Sequence, residues 1–572
     1  ANVNYATREA FDFFYPGYGS SYPSIMGGIG MLAEQGGHSR GGRSVETEDG
    51  YLLTLRQRIF DHYENSISNV QVAAENRQAL LEYFVFARSQ AAQKGDTKAY
   101  ILPNNPHDYT SKVINMMMKH GVKVEQANAS FSQRNSYSYW DGERTTASFQ
   151  AGDFIIKTDQ PAHLFINTLM RRQLEIKDSV MYDMSTWSVP MAFNLDAAWT
   201  TSDVDVATTP VSEPIVHDFG VRQPNASYAF VVDWAQPHAP KALAKIWELG
   251  YRVRAAEESF TLDGTTYSPG SLVILIGRNF EKRDHIAQDM ASVAEDAGVI
   301  IQGLNTGRMD DGIDLGSRGM NPIHEPNVAL MVDSPFSSYT AGQLWFLFDQ
   351  WSEFGISRIR AGSFSTSALA DLDVILMPGA WGGLQSLFSD AQKDALKQWV
   401  QNGGVIIGTE GSASWLTADQ SGMTSVAMVN QEEESDDETI DPVAYTRYED
   451  REDVFGLRRI PGAAFKGIID TSHPLAFGLP ETLYSLKFGD AALVPDESFH
   501  TVGYYHKDPS QVLASGYASQ KSKEHAAGMA FAGVSNVGQG KVVFLVDNTQ
   551  YRMFWVGPSR MVQNAVMLLP GM

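Results

Sequence analysis

The sequence predicts an α/β fold with several domains, and three observations lead to this prediction. The 572 residues, at about 150 residues per domain, suggest roughly three to four domains. Strand-like and helix-like segments alternate through most of the chain, which favours sheets covered by helices. One such unit occurs twice in the middle of the chain. A hydrophobic fraction of 43% can fill several cores and excludes global disorder.

The first elements along the chain are a loop-rich segment and a long helix. Residues 1–43 are rich in Gly, Ser, Tyr and Phe, and the run FDFFYPGYGSSYPSIMGGIGMLAEQGG places aromatic residues between glycines. This texture is typical of a pocket walled by loops and a short strand. Residues 49–94 predict helix, because their apolar residues recur at spacings of three and four: Leu52, Leu55, Ile59 and Tyr63.

An internal repeat follows this helix. The first copy contains KAYILPNN, TSKVINMMMKHG, VKVEQA, FQAGDFIIKTDQ and PAHLFINTLMRR; the second contains YAFVVDWA, APKALAKIWELG, YRVRAAE, YSPGSLVILIG and HIAQDMASVAEDAG. Gly121 and Gly152 correspond to Gly250 and Gly270, and the first copy carries a polar insertion, FSQRNSYSYWDGERTTA. Each copy predicts strand, helix, strand, turn, strand and helix. This alternation predicts parallel sheets that are covered on both faces.

The last third of the chain, from residue 327, predicts a further α/β unit. Strand patterns in NVALMVD, LDVILMPG, VIIGTEGSASWL and GQGKVVFLVDNTQ alternate with helix patterns in TAGQLWFLFDQWSEFG, AQKDALKQWVQNGG and SRMVQNAVMLL. VIIGTEGSASWL is a buried strand that continues into a turn.

Charge and cysteine content exclude several classes of function. The formal net charge of −23 argues against a nucleic-acid partner or an anionic membrane surface, since both need a basic patch. No apolar run reaches the ~18 residues of a membrane span. The absence of cysteine excludes disulfides, thiolate metal sites and a cysteine nucleophile, but does not determine the compartment.

The run YPGYGSSYPSIMGGIGMLAEQGG, which continues to DGYLLTLRQRIFDHY, resembles a known family. It is similar to the carboxyl-terminal end of the catalytic domain in large bacterial zinc carboxypeptidases of the carboxypeptidase A-like superfamily. The resemblance implies that Glu34 is the catalytic glutamate, which deprotonates the zinc-bound water and then protonates the leaving amine. The tyrosine that covers bound substrate in this family matches Tyr15 best, with Tyr18 and Tyr22 as alternatives.

The zinc ligands that this family requires have no counterpart in the sequence. Neither His-x-x-Glu nor a histidine pair at helical spacing occurs among the thirteen histidines. In the family these ligands precede the segment that contains Glu34. We therefore expect Ala1 to begin a fragment, with zinc in the full-length protein but none in this chain.

A second resemblance lies in the last third of the chain. LDVILMPG and GGVIIGTEGSASWL are similar to the class I glutamine amidotransferase-like fold, in which active members place a Cys at a sharp strand-to-helix turn. Here the turn has the sequence Gly408-Thr409-Glu410-Gly411-Ser412, without Cys. Glu410 cannot replace a thiolate as acyl acceptor, and nothing in the sequence places a histidine beside Ser412. We expect an inactive domain that is retained for packing or binding.

Together these observations predict four regions and two alternative functions. The regions are a carboxypeptidase-like remnant at 1–75, α/β repeats at 76–195 and 196–325, and a doubly wound amidotransferase-like domain at 326–572. The first hypothesis is part of a secreted or periplasmic zinc carboxypeptidase-like protein that hydrolyses peptide or amide bonds, with Glu34 and Tyr15 at its site. This chain alone is then inactive. The alternative is a non-catalytic scaffold or binding protein built of α/β modules. The sequence does not determine the oligomeric state.

Overall fold

A computed structural model describes residues 15–37, 43–89, 93, 95–174, 176, 184–429, 445–451 and 460–572. In these residues helices alternate with strands that form several sheets, so the predicted multi-sheet α/β class is confirmed. None of the helices in this part of the chain combines the length and hydropathy that a bilayer crossing requires. The domain boundaries proposed from the sequence remain predictions.

The amino-terminal segment contains short elements and two consecutive helices. These elements are α1 (Tyr22–Ile25), β1 (Ser44–Glu46), β2 (Leu52–Thr54), α2 (Leu55–Glu75) and α3 (Arg77–Ala87). The helix predicted over 49–94 is wrong at its start, because Leu52 pairs with Glu46 in an antiparallel hairpin. α2 begins only after Thr54, whose side chain accepts a hydrogen bond from the Gln57 amide and caps the helix.

The first repeat forms one sheet with its own helices. Its elements are β3 (Ala99–Leu102), α4 (Thr110–Lys119), β4 (Glu125–Ala127), β5 (Phe131–Ser138), β6 (Arg144–Phe149), β7 (Phe154–Lys157), α5 (His163–Met170), α6 (Val189–Ala192), β8 (Ala198–Thr200) and β9 (Thr208–Pro210). The spatial order of the strands is β6-β5-β8-β3-β7-β4-β9. The polar insertion forms the β5–β6 hairpin.

The second repeat forms a second sheet with the same central arrangement. Its elements are β10 (Gly220–Arg222), β11 (Ala229–Val232), α7 (Ala239–Glu248), β12 (Val253–Ala256), β13 (Phe260–Leu262), β14 (Thr265–Tyr267), β15 (Leu272–Leu275), α8 (Ile286–Ala297), β16 (Ile300–Leu304), β17 (Asp311–Gly312) and β18 (Met320–Ile323). The strand order is β10-β16-β11-β15-β12-β18, while β14-β13-β17 form a small separate sheet.

The prediction of parallel sheets is wrong for both repeats, whose strands pair antiparallel except for β10 with β16. β7 pairs antiparallel with both β3 and β4, and β15 pairs antiparallel with both β11 and β12. The two strands that each crossover helix joins therefore run in the same direction, but the third strand inserts between them. The alternation of strands and helices predicted the directions of these two strands correctly and could not show which strands are neighbours.

The carboxyl-terminal unit, residues 328–567, contains the largest sheet. Its elements are β19 (Val328–Val332), α9 (Ser338–Phe346), β20 (Ser357–Arg360), β21 (Val374–Met377), α10 (Leu384–Leu387), α11 (Asp390–Gln401), β22 (Val405–Thr409), α12 (Gly411–Trp415), β23 (Ala463–Ile469), β24 (Thr482–Lys487), β25 (His500–Tyr505), α13 (Pro509–Val512), β26 (Leu513–Ser515), α14 (Gln520–Ala526), β27 (Ala530–Val537), β28 (Gly540–Leu545) and α15 (Ser559–Met567). The strand order is β20-β19-β21-β22-β28-β27-β25-β23-β24, with β26 beside β23.

The largest sheet has a parallel half and an antiparallel half. Strands β20, β19, β21, β22 and β28 pair in parallel, and the remaining strands pair antiparallel. The parallel strands β21 and β22 are fully buried, as expected for strands covered on both faces. Their predicted positions in LDVILMPG and VIIGTEGSASWL are confirmed.

Buried side chains connect the carboxyl-terminal unit to both repeats. One apolar cluster extends from the second repeat into the largest sheet, and another joins the first repeat to Tyr484, Leu486 and Trp555. The Tyr484 hydroxyl lies 2.7 Å from the carbonyl oxygens of Tyr139 and Trp140 in the first repeat. The Trp555 indole donates a hydrogen bond to the Tyr484 carbonyl at 2.8 Å. The carboxyl-terminal unit is thus packed firmly against both repeats.

Candidate functional site

The carboxyl ends of β21, β22 and β28 meet at one edge of the parallel half-sheet. Ligands of open α/β sheets bind in the crevice outside this edge. Here the chain turns sharply from β22 into α12 at Glu410, which has φ 52° and ψ −128°. Such a conformation costs a non-glycine residue about 1–3 kcal/mol and persists only where the surroundings impose it. The strained turn makes Glu410 a candidate functional residue.

Two glycines make room for this turn. A Cβ atom on Gly411 would overlap the Ala380 carbonyl oxygen, and a Cβ atom on Gly379 would overlap a carboxyl oxygen of Glu410. Both positions therefore need glycine for the carboxyl group to keep its place. The sequence resemblance implies that active members carry their Cys at this turn, which in this chain holds Glu410.

The Glu410 carboxyl group has polar partners on one oxygen. The Thr340 hydroxyl donates to Oε2 at 2.8 Å, and the Asn548 side-chain amide approaches the same oxygen at 3.4 Å. Asn548 is itself held by a 3.0 Å hydrogen bond to the Gln343 side-chain oxygen. Burial raises the pKa of Glu410 despite these two contacts, and the charge of Asp547 adds to the increase. Both recorded hydrogen bonds go to Oε2, so Oε1 is the oxygen that a ligand can use.

A second carboxylate lies close to Glu410 along the same edge, but it is enclosed in the core. Asp547 accepts hydrogen bonds from the hydroxyls of Tyr505 at 2.7 Å and Ser485 at 2.6 Å. Lys487, which is completely buried, lies 3.6 Å from the other Asp547 oxygen and donates to the Ala491 carbonyl at 2.6 Å. Burial lowers the pKa of Lys487, against the effect of Asp547. This cluster fixes the loop that carries Asn548.

A cavity of about 990 Å³ opens beside Glu410, at the upper end of the volumes typical of small-molecule sites. Its residues from the amino-terminal segment are Tyr18, Gly19, Ser20, Met31, Leu32 and Glu34. Those from the carboxyl-terminal unit are Ser337, Tyr339, Thr340, Gln343, Trp381, Glu410, Phe488, Asn548, Tyr551 and Arg552. The lining thus combines both charge signs, hydroxyl and amide groups, and aromatic rings. We call this space the Glu410 cavity.

The structure brings Glu34 into this cavity, keeps Tyr15 and Tyr18 together with ring centroids 5.2 Å apart, and places Tyr22 elsewhere. Glu34 is exposed and lines the cavity together with Tyr18. Tyr15 is not among the lining residues; its ring lies 4.6 Å from the Arg552 guanidinium carbon. Tyr22 points to the first repeat, where its hydroxyl lies 2.7 Å from Nδ1 of His120. The catalytic roles of Glu34 and Tyr15 remain predictions.

Ser412 does not have the surroundings of a nucleophile. Its side chain is buried, and its hydroxyl donates a 2.6 Å hydrogen bond to the Pro378 carbonyl. Among the described residues, no histidine lines the Glu410 cavity. A serine needs a positioned base to become nucleophilic, so this geometry gives acyl transfer at Ser412 no support.

Zinc does not fit the residues at the Glu410 cavity. A zinc site needs three or four nitrogen, oxygen or sulfur ligands around one point, whereas the acidic residues that line the cavity are Glu34 and Glu410. No group of three His, Asp or Glu side chains suited to a metal ion occurs within the described ranges.

Thr340, Asn548 and Arg552 line the cavity although no motif in the sequence marks them as site residues. Thr340 is in α9, which follows β19, and Asn548 and Arg552 follow β28. All three come shortly after predicted strands of the carboxyl-terminal unit. An inventory of polar residues beyond the carboxyl ends of these strands would have included them.

Comparison with known proteins assigns this chain to no family. No protein-family model and no curated protein matches the sequence. A glutamine amidotransferase from Thermotoga maritima is 7% identical, covering 42% of this chain and 90% of its own, with a TM-score of 0.25. A ThuA-like protein from Bacteroides uniformis is 12% identical, covering 42% and 89%, with a TM-score of 0.27. A beta-galactosidase from Bacillus circulans is 10% identical, covering 51% and 35%, with a TM-score of 0.25.

These neighbours include amidotransferase-like and ThuA-like folds, but the TM-scores are too low to support a functional argument. The comparisons give no support to the carboxypeptidase resemblance, which remains a prediction from the sequence.

Proposed function

We propose that this chain is a ligand-binding component, not itself a catalyst, and that the Glu410 cavity binds a peptide. The observation that carries the proposal is the strained, partly buried Glu410 carboxyl facing a cavity of about 990 Å³. The strained backbone at Glu410 costs stability. We therefore attribute the position of this carboxyl group, at the edge of the sheet where ligands bind, to ligand recognition.

Among the described residues, the strand-to-helix turn has no acyl-transfer arrangement, and this favours binding over catalysis at the turn. The strand-to-helix turn carries Glu410 in place of a thiolate, and the Ser412 hydroxyl is engaged by the Pro378 carbonyl. Glutamine chemistry at this turn would need a nucleophile with an adjacent base.

The composition of the cavity favours a peptide as ligand. Arg552 can bind a carboxylate, and Glu34 and Glu410 can bind an ammonium group or amide N–H groups. Phe488 and Trp381 offer apolar contact area, and Trp381 is 87% exposed. A short peptide with free termini presents both charges and apolar side chains together.

We further propose, on the sequence resemblance alone, that the complete protein is a secreted or periplasmic hydrolase of peptide or amide bonds with Glu34 as general base. Zinc in that complete protein is part of the same proposal. Glu34 lines the Glu410 cavity. This position supports the proposal that the carboxypeptidase-like segment and the amidotransferase-like unit bind the same substrate.

The test is a calorimetric titration of the 572-residue chain with Ala-Phe-Ala, with its N-acetylated form and with its C-amidated form. We expect the free tripeptide to bind and each blocked form to bind more weakly. Glu410→Gln should weaken binding about tenfold or more, since a hydrogen bond to a charged group contributes about 1.5–3 kcal/mol. Glu248→Gln, at an exposed position on α7, is the matched control.

Two results would contradict the proposal. One is that the three peptides bind with equal affinity and that this affinity is the same for the parent chain and Glu410→Gln. The other is release of alanine from the tripeptide by this chain, which would establish a catalytic unit.

A further inference from the structure

A second cavity lies where both repeats meet the carboxyl-terminal unit. Its volume is about 210 Å³, smaller than the roughly 300–1,000 Å³ of sites for drug-sized ligands. Its walls include Asp108 and Asp196 from the first repeat, Pro237 from the second repeat, and Gly557 and Arg560 from the carboxyl-terminal unit. We call it the junction cavity; it is distinct from the Glu410 cavity.

Arg560 is buried in the wall of the junction cavity. Its side chain is 7% exposed, and Nη2 donates to the carbonyls of Gln236 at 2.8 Å and Pro237 at 3.1 Å. Nη1 is buried and has no hydrogen-bond partner among the described residues. No carboxylate in the described ranges forms an ion pair with Arg560. The guanidinium carbon also lies 5.2 Å from the centroid of the Trp234 ring. Because a buried arginine is almost always paired, Arg560 retains the capacity to bind an anion.

Neighbouring groups do not supply that anion. Asp233 acts on Arg560 electrostatically, but its Oδ1 accepts hydrogen bonds from the Ala235 and Ser268 amides and the Ser271 hydroxyl. Positive groups lie nearby instead, since Lys112, Lys241 and Arg560 all act electrostatically on His238. The Lys112 ammonium lies 3.2 Å from the centroid of the Trp351 ring.

The effect of these positive groups is visible at His238. Burial lowers the pKa of Lys112 to about 8. Burial, together with the charges of Lys112, Arg560 and Lys241, lowers the pKa of His238 to about 4. The surroundings of Arg560 are thus electropositive on this side.

Helix α15 begins at the same wall. Its first residues, Ser559 and Arg560, line the junction cavity together with the preceding Gly557. The amino terminus of a helix offers backbone N–H groups and a partial positive charge to an anion. The lining also includes Asp108 and Asp196, and Asp108 already accepts hydrogen bonds from the Thr110 amide at 2.7 Å and the Asn105 side chain at 3.2 Å. The lining of the cavity therefore contains both a cationic group and two acidic groups.

We propose that the junction cavity binds a small α-amino or α-hydroxy acid. Arg560 and the amino terminus of α15 hold the carboxylate, while Asp196 and Asp108 accept hydrogen bonds from the amino or hydroxyl group. The volume of the cavity restricts the ligand to a small molecule. Because the walls come from three parts of the chain, the bound ligand also joins the two repeats to the carboxyl-terminal unit.

The experiment titrates the full 572-residue chain with L-alanine, L-lactate, acetate and ethylammonium, using calorimetry and thermal denaturation. We expect alanine and lactate to bind and to raise the melting temperature, acetate to bind more weakly, and ethylammonium not to bind. Arg560→Lys should weaken alanine binding about tenfold or more, whereas the exposed Arg283→Lys should have no effect.

Two further variants keep the proposal testable if Arg560→Lys does not fold. Asp196→Asn, at an exposed position, should weaken alanine binding and leave acetate binding unchanged. Glu410→Gln should leave alanine binding unchanged. A failure of the junction-cavity proposal is therefore distinguishable from a failure of the proposed peptide site. Absence of alanine and lactate binding up to about 10 mM, or equal binding by Asp196→Asn and the parent chain, would overturn the proposal.

Discussion

Two carboxyl groups of the carboxyl-terminal unit lie beyond the ends of the parallel strands, and their surroundings are opposite in kind. Asp547 is enclosed, with the hydroxyls of Tyr505 and Ser485 on one oxygen and the Lys487 ammonium near the other. Glu410 takes a strained backbone conformation, and both of its recorded hydrogen bonds go to one oxygen. The difference indicates that Asp547 holds the fold, whereas Glu410 is presented to the cavity.

The largest expected effect on stability follows from removing one member of the buried Lys487–Asp547 pair. Lys487→Met leaves the Asp547 carboxylate buried without its cation, and we expect a loss of about 3–5 kcal/mol in the free energy of unfolding. Urea denaturation followed by tryptophan fluorescence measures this loss. The double variant Lys487→Met/Asp547→Asn should recover most of it, because removing both members of a buried pair costs little. Wild-type stability in the single variant would show that the cluster does not hold the fold.

A smaller loss is expected from crowding the Glu410 carboxyl. Gly379→Ala places a Cβ atom against Oε2 of Glu410, and we expect a loss of about 1–3 kcal/mol together with weaker peptide binding. Gly342→Ala is the matched control, since nothing lies within 4 Å of its Cβ position and helix α9 should gain up to about 1 kcal/mol from alanine. Equal effects of the two substitutions in denaturation experiments would contradict the tight fit at Gly379.

Ser412→Ala should have a modest effect on stability and none on binding. Loss of the hydrogen bond to the Pro378 carbonyl should cost about 1 kcal/mol, and a serine-reactive probe should not label Ser412 in the parent chain. Ser386→Ala, which removes an exposed 3.1 Å hydrogen bond to Gly383, should cost less. Labelling of Ser412 would contradict the structural role and support a hydrolytic one.

The smallest expected effect is a gain in stability at neutral pH, in contrast to the losses above. Folding raises the pKa of Glu410, so the folded state binds the proton more tightly and loses stability as pH increases through the ordinary value of 4.5. Glu410→Gln removes this charge and should be more stable than the parent chain at pH 7. The advantage should disappear toward pH 4, as thermal denaturation across this range would show. A variant less stable than the parent chain at pH 7 would assign Glu410 to the fold.

Local patterns predicted the elements of this fold better than its pairings. The buried strands around Ile375 and Ile407 and the turn at Glu410 were visible in the sequence, because apolar runs and glycine-flanked turns are local signals. The insertion of β7 and β15 between the strands of each repeat was not, since strand pairing depends on contacts distant in sequence. For the same reason, no local pattern could place Glu34 in one cavity with Glu410.

Parallel measurement of stability and peptide affinity in Glu410→Gln and Lys487→Met tests the contrast between the two carboxyl sites most directly. We predict that Glu410→Gln binds Ala-Phe-Ala about tenfold or more weakly while keeping or gaining stability at pH 7. Lys487→Met should lose stability while its folded fraction still binds the tripeptide. Unchanged affinity in Glu410→Gln, accompanied by a loss of stability, would contradict the account.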